Sequence, residues 1–162
     1  MVESFVLLSL GANLGNQSAT IKNAINCIRD SGLLTSLHIS SEYSTEPVGY
    51  IDQPWFTNIA VSGFTTIPIT HFLLIIKTIE QFLGRTGHQR WHEREIDIDL
   101  LIYGDNIITN KEITIPHPRM HQRRFVLEPA AEIASEVIHP GFNLSISQLL
   151  EQCSDNSIVN VK

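Results

Sequence analysis

The chain has 162 residues, of which 43% are hydrophobic and 17% are charged, and its formal net charge is -6. This size and composition are typical of one globular domain, so we expect a single domain over residues 1–162. The acidic balance argues against binding to nucleic acid or to an anionic membrane through overall charge.

The cysteines and the N-terminus indicate an intracellular protein. Cys27 and Cys153 lack a CxxC spacing, so we expect free thiols rather than a disulfide or a zinc site. The first residues lack the basic start of a secretion signal, and their apolar run is too short to span a bilayer. A cytoplasmic location is therefore expected.

The first predicted elements are a strand over residues 4–10, which ends at Gly11, and a helix over residues 16–31. The helix is indicated by apolar residues at helical spacing and by Gly32 just beyond its end. The Gly- and Asn-rich turn between them resembles a phosphate-binding loop only loosely. We expect a tight connection there, with Asn13 near a functional site.

A second strand is predicted over residues 36–44, followed by a long loop over 45–54 and a returning strand over 55–64. Loops of this length are often functional. In the returning strand, alternation places Phe56 and Asn58 on one face. Asn58 is unusual in mid-strand, so it is either a solvent-facing residue or one that binds the polar edge of a flat heterocycle.

A second helix is predicted over residues 67–83, with Pro68 in its first turn and Gly84 at its end. Glu80 lies in its last turn, where the helix dipole does not favour an acid. Such a residue is usually solvated, but here it adjoins a stretch rich in arginine and histidine, residues 85–94. That stretch suits a phosphate group and a base.

The segment R-W-H-E-R-E-I-D-I-D-L-L-I-Y-G contains the most informative pattern in the chain. Its aliphatic residues predict a strand in which Asp97 and Asp99 share one face, while Ile96, Ile98 and Leu100 point into the core. Two neighbouring carboxylates need a cation if they are buried, and a divalent ion with oxygen ligands is the obvious candidate. The alternative is an edge strand with a solvated acidic face.

After this strand we predict a hairpin (107–108 with 112–115), a helix over 125–134, a short helix over 146–152 and a frayed end. The element order is therefore βαββαβ with a C-terminal hairpin and short helices. This order predicts an α+β, ferredoxin-like fold with an antiparallel sheet. Both long helices would pack on one face, which leaves the opposite face free for a site.

Five motifs resemble those of the 6-hydroxymethyl-7,8-dihydropterin pyrophosphokinase family, which acts in folate biosynthesis. They run along nearly the whole chain: S-L-G-A-N-L-G-N, Y-S-T-E-P-V-G-Y-I-D-Q-P-W-F-T-N, I-E-Q-F-L-G-R, R-W-H-E-R-E-I-D-I-D-L-L-I-Y-G and I-P-H-P-R-M-H-Q-R-R-F-V-L-E-P. Each motif alone is weak, but five in order with family-like spacing are a strong indication. The resemblance implies transfer of pyrophosphate from ATP to the pterin's hydroxymethyl oxygen, with two Mg²⁺ ions.

The resemblance also implies roles for particular residues. The metal ligands would be Asp97 and Asp99, which together with Arg85 and Arg94 make up the catalytic set. The pterin-binding residues would be Thr45, Val48, Gly49, Phe56, Asn58 and Phe125, with the two phenylalanines on either side of the ring. The nucleotide-binding residues would be Glu80, Trp91, Arg94, Ile98, His117 and Arg123. A monomer is the expected state.

Two other functions stay open on the residues alone. RNA-recognition domains share the βαββαβ order, but this chain lacks their aromatic RNP1 run, and two aspartates on the sheet would repel phosphate. A regulatory domain of the same fold would bind a small molecule without catalysis. His92 and Glu93, where the family usually has Gly-Pro, keep that alternative open.

Overall fold

The computed structural model describes residues 2–84 and 95–162. The first range contains β1 (Ser4–Ala12), α1 (Gln17–Asp30), β2 (Thr35–Ile39), β3 (Tyr43–Thr45), β4 (Phe56–Thr65) and α2 (Ile69–Phe82). The second contains β5 (Asp97–Tyr103), β6 (Ile108–Thr109), β7 (Thr114–Ile115), α3 (Arg124–Ala134), β8 (Ile138–His139), β9 (Leu144–Ser145), α4 (Ile146–Gln152) and β10 (Val159–Val161). The structure is thus a mixed α and β fold with four α-helices in the described ranges.

The central sheet is antiparallel, with the strand order β10-β3-β4-β1-β5, and β2 also pairs with β4. The strand predicted over residues 36–44 is therefore two strands. The break falls at Ser40, whose side-chain oxygen accepts the backbone N–H of Ala60 at 2.9 Å. A serine hydroxyl that competes with the backbone in this way interrupts the regular ladder.

Helices α1 and α2 pack on one face of the sheet, as predicted. Their apolar sides join a core with inward-facing residues of β1, β4 and β5, among them Leu8, Ile59 and Ile98. The start of α1 is fixed by Asn16, whose side chain accepts the N–H of Ala19 at 3.0 Å, and Gly32 has a positive φ of 64° just beyond its end.

The opposite face is not entirely free, which corrects the expectation from the sequence. Helices α3 and α4 cover one half of it and bury a second core that includes Leu7, Ala60, Leu101 and Leu127. The residues after α4 are not frayed either, because β10 forms an antiparallel pair with β3 at the sheet edge. The uncovered half of this face remains for a site.

A register shift between Leu7 and Leu8 changes the alternation of β5. Leu101 and Ile102 both join the core under α3, whereas Leu100 and Tyr103 join the core under α1 and α2. Such a bulge turns the strand face over within one residue.

No helix within residues 2–84 and 95–162 is both long and apolar enough to cross a membrane.

Candidate active site

A cleft opens on the half of the sheet face that α3 leaves uncovered. Its floor is formed by β1, β4 and β5, one side by the segment that follows β3, and the other side by the start of α3. It is lined by Ser9, Gly11, Thr45, Glu46, Val48, Gln53, Phe56, Asn58, Asp97, Asp99, Arg123 and Phe125.

Asp97 and Asp99 face this cleft from β5, and both are half-buried. The cross-strand register places Asp97 opposite Gly11 and Asp99 opposite Ser9. Ile98, between them, points into the opposite core. Their position on one face agrees with the predicted alternation, and the cleft decides against a fully solvated acidic edge.

Glu80 supports this strand from behind. Its side chain is only 5% exposed, although the sequence suggested a solvated residue, and its Oε1 accepts the backbone N–H of Ile98 at 2.7 Å. Since β5 is an edge strand that pairs with β1 alone in the described sheet, this outward N–H needs an acceptor. A buried acceptor there fixes the backbone between the two aspartates.

Asn58 belongs to the cleft floor and is 3% exposed. Its Nδ2 donates a hydrogen bond of 2.6 Å to Thr45 Oγ1, and its Oδ1 lies over Gly11 on the neighbouring strand. A methyl group at Gly11 would overlap that oxygen. The glycine therefore leaves room for an amide whose remaining donor and acceptor can bind a ligand.

Two phenylalanines and an arginine form the walls. Phe56 begins β4, and Phe125 lies in the first turn of α3. Arg123 is the residue before α3, and its guanidinium carbon lies 5.6 Å from the centre of the Phe125 ring. This cation–π contact holds a positive charge beside an aromatic face at the edge of the cleft.

The loop between β3 and β4 closes one end of the cleft. Val48 and Gln53 line it, and Gly49 has a positive φ of 91°. Asn13, buried at the end of β1, donates hydrogen bonds to Gln53 Oε1 at 3.0 Å and to the carbonyl of Pro54 at 3.3 Å. Asn13, which was expected near a functional site, thus holds the loop that closes the cleft.

His117 lies beside β5, where its backbone N–H donates to the carbonyl of Leu101 at 2.9 Å. Burial lowers its pKa to about 4, and the nearby charges of Arg123 and Arg119 act in the same direction against the opposing effect of Asp97. Its Nδ1 accepts the N–H of Arg119 at 3.2 Å. The neutral ring therefore carries its proton on Nε2 and is a hydrogen-bond donor at neutral pH.

Comparisons with known proteins decide the family. The model of 7,8-dihydro-6-hydroxymethylpterin-pyrophosphokinase (HPPK) matches residues 7–135, which is well over half of the chain. The chain belongs to the HPPK family. The matched range begins within β1 and contains α1 to α3 and β2 to β7, whereas α4 and β10 lie beyond it.

Relatives of known sequence agree with this assignment, and a solved structure agrees with the fold. The 2-amino-4-hydroxy-6-hydroxymethyldihydropteridine pyrophosphokinase of Bacillus subtilis is 36% identical, over 84% of this chain and 81% of its own length. The enzyme of that name from Haemophilus influenzae is 34% identical, over 95% of this chain and 96% of its own length. A wild-type Plasmodium falciparum HPPK-DHPS crystal structure matches with a TM-score of 0.73 at 16% identity, over 93% of this chain. This chain spans 43% of that longer protein, and at that identity the match shows the fold alone.

The structure brings together eight of the residues that the HPPK resemblance singled out. All eight line the cleft: Thr45, Val48, Phe56, Asn58, Asp97, Asp99, Arg123 and Phe125. The other residues named from the described ranges do not line it: Gly49 belongs to the exposed loop, the Ile98 side chain is in the core, and Glu80 and His117 hydrogen-bond to the backbone of β5. Arg85, Trp91 and Arg94 lie outside the described residues.

Four residues that line the cleft were not predicted as site residues from the sequence: Ser9, Gly11, Glu46 and Gln53. For Ser9 and Gly11 a signal existed, because both share the alternation that places Phe5 and Leu7 on this face. This alternation was not extended to Gly11, because the strand was predicted to end there, whereas β1 continues to Ala12. Glu46 and Gln53 belong to irregular segments, whose side-chain directions follow from no sequence period.

Proposed function

We propose that this HPPK family member transfers a pyrophosphate group from ATP to the hydroxymethyl oxygen of 6-hydroxymethyl-7,8-dihydropterin. The products are AMP and the pterin diphosphate, in a step of folate biosynthesis. The names of the relatives, which cover most of the chain at about one-third identity, support this activity. The observation that carries it is one cleft holding an aromatic and amide-lined half next to two carboxylates.

The pterin ring fits the half of the cleft around Asn58. Phe56 and Phe125 would stack on its two faces, and Asn58 and Thr45 would hydrogen-bond its polar edge. Because Asn58 is almost fully buried, a ligand lacking the matching donor and acceptor would leave the amide unsatisfied. Val48 and Gly49 would line the open end. This arrangement favours a flat heterocycle with an amide-like edge.

The phosphates fit the half of the cleft around Asp97 and Asp99, which would hold two Mg²⁺ ions. The donor set suits this ion, because Mg²⁺ in phosphoryl-transfer sites is commonly held by one or two carboxylates together with phosphate oxygens and water. Within the described residues, no group of three or more His, Cys, Asp and Glu side chains could hold a metal by itself. Bound Mg²⁺ supplies charge neutralisation at the phosphates and a lowered pKa of the attacking hydroxyl.

The remaining groups would orient the nucleotide and stabilise negative charge. Arg123 would donate to a phosphate oxygen, and His117 would donate from Nε2 as a neutral ring. From the segment outside the described residues, Arg85 and Arg94 would contact the phosphates and Trp91 the base. Glu80 and Ile98 would complete the nucleotide side, where Glu80 acts through the backbone of β5.

We propose a ferredoxin-like βαββαβ architecture for the chain, and the strand order β10-β3-β4-β1-β5 supports it. We also propose that the protein acts as a cytoplasmic monomer that binds neither nucleic acid nor membrane, in keeping with its net charge of -6. Sedimentation of the purified protein at two concentrations tests the monomer. A mass that rises to twice 18.2 kDa would contradict it.

The activity is tested by incubating the protein with ATP, Mg²⁺ and 6-hydroxymethyl-7,8-dihydropterin and by separating the nucleotides. AMP and the pterin diphosphate should appear together in equal amounts. Reactions without the pterin, and with a chelator in excess of Mg²⁺, should yield neither. Release of ADP instead of AMP, or no product from folded protein, would overturn the proposal.

A further inference from the structure

The C-terminal strap, defined as residues 155–162, contacts both walls of the cleft. On one side, β10 pairs with β3, and Val159 lies opposite Thr45 in the cleft wall. The next residue, Glu46, is tied to Ile158 twice: its N–H donates to the Ile158 carbonyl at 3.1 Å, and its Oε1 accepts the Ile158 N–H at 2.7 Å. The strap therefore fixes the backbone of this wall.

On the other side, the strap caps helix α3. The residue before the helix, Arg123, makes no side-chain capping hydrogen bond. Instead, Asp155 Oδ2 accepts the N–H of Arg124 at 2.9 Å, and the Asp155 carbonyl accepts from Arg124 Nε at 2.9 Å. A carboxylate at a helix N-terminus satisfies an otherwise unpaired N–H and interacts favourably with the helix dipole. This cap holds the turn that carries Arg123 and Phe125.

Asp155 is itself held in place by its neighbours in the strap. Its Oδ1 accepts the N–H of Ser157 at 2.9 Å. Burial alone would raise the pKa of Asp155, but the hydrogen bonds from the N–H groups of Ser157 and Arg124 bring it below its usual value. The group is therefore ionised across the neutral range, which is the state that caps a helix best.

We infer that Asp155 is a positioning residue for heterocycle binding: through the strap it fixes the distance between the Thr45–Glu46 wall and the Arg123–Phe125 wall. Residues 155–162 lie beyond the range matched by the family model, which ends at residue 135. The inference rests on the proposed function, because the heterocycle in question is the pterin. It gives a role in ligand binding to the strap, although no side chain of the strap lines the cleft.

The test compares Asp155→Ala with a matched control, Ser145→Ala. Ser145 caps α4 through its side chain, which accepts the Gln148 N–H at 3.1 Å, and it lies outside the cleft. Both variants lose one helix cap, so both should melt roughly 2–4 °C lower than the unmodified protein. Only Asp155→Ala should bind the pterin more weakly, by roughly fivefold to tenfold in Kd measured by calorimetry.

A conservative variant separates positioning from loss of folding. Asp155→Asn keeps a carbonyl oxygen that can accept the Arg124 N–H, so its pterin Kd should lie between those of the unmodified protein and Asp155→Ala. Equal Kd values for Asp155→Ala and Ser145→Ala, at matched melting temperatures, would overturn the inference. So would an Asp155→Asn variant that is weaker than Asp155→Ala.

Hydrogen exchange of the unliganded protein tests the same inference without any ligand. Asp155→Ala should speed exchange of the Glu46 and Leu127 N–H groups at least about threefold, and Ser145→Ala should leave both unchanged. Unchanged exchange in Asp155→Ala would refute the positioning role. If the unmodified protein neither binds the pterin nor forms AMP, the proposed function fails, and these exchange rates still decide whether the strap holds the walls.

Discussion

One face of the central sheet is divided into two halves. They share the same strands, but the side chains of one half are apolar and those of the other are polar or absent. The covered half, Leu7, Ala60, Leu101 and Ile102, packs under α3 and α4. The open half, Ser9, Gly11, Asn58, Asp97 and Asp99, forms the floor of the cleft. On each strand the side chains change from apolar to polar or absent within two or three residues. The backbone alternation is common to both halves. The residue types alone therefore decide which half packs against helices and which half lines the cleft.

The difference also has an energetic side. The covered half gains stability by removing apolar surface from water, at about 25 cal/mol per Å². The open half buries an amide and brings two carboxylates close together, which costs free energy unless partners satisfy them. Thr45 bonds Asn58, and Glu80 holds the backbone of β5. Stability should therefore reside mainly in the covered half, and activity in the open half.

The largest expected effect comes from the open half, with Asp97→Ala. If Asp97 holds a catalytic cation, as proposed, its loss should lower the rate of AMP formation by about a thousandfold or more, while the melting temperature stays within a few degrees. The exposed turn residue Asp105 supplies the control, since Asp105→Ala removes the same charge outside the cleft. Turnover within about tenfold of the unmodified protein would show that Asp97 holds no essential cation.

The covered half should give the opposite result in Leu7→Ala. Leu7 is fully buried, so its truncation should lower the free energy of unfolding by about 2–5 kcal/mol in urea titrations. The rate of AMP formation, measured well below the melting temperature, should change by less than about threefold. A large loss of activity in the folded variant would mean that the two halves are not separable.

Gly11→Ala tests the amide in the cleft floor. The added methyl group meets Asn58 Oδ1, so the amide must turn and lose the alignment with the pterin edge that we propose. The KM for the pterin should rise roughly tenfold to a hundredfold, with a smaller change in the KM for ATP. Gly63→Ala is the control, because its methyl group would lie 2.6 Å from the Thr35 carbonyl, away from the cleft. That variant should be less stable, with its pterin KM unchanged.

The smallest effect concerns pH and His117. Its pKa is about 4 in the folded protein and about 6.5 in the unfolded chain, so the unfolded chain binds the proton first as the pH falls. Stability should therefore decrease between pH 6.5 and pH 4. His117→Asn keeps an acceptor for the Arg119 N–H. Over that pH window its free energy of unfolding, measured in denaturant titrations, should fall by about 1–2 kcal/mol less than that of the unmodified protein. Parallel pH curves for the two proteins would contradict this.

Much of the site followed from two periodicities in the sequence. Strand alternation placed Phe56 with Asn58 and Asp97 with Asp99, and helical spacing gave α1 and α2 to within two residues. The places where prediction was wrong depend on other parts of the chain. Glu80 is buried because β5 runs past the end of α2, and the C-terminal residues form a strand because β3 offers an unpaired edge.

The sequence by itself determined the elements, the faces of the strands and the family motifs, because each of these depends on neighbours within a few residues. Only the tertiary structure decided that α3 covers half of a face, that a bulge turns Tyr103 toward the other core, and that residues 155–162 join both cleft walls. These features depend on which distant segments meet. Strand pairing, helix packing and capping across the chain decide that, and no local period encodes it.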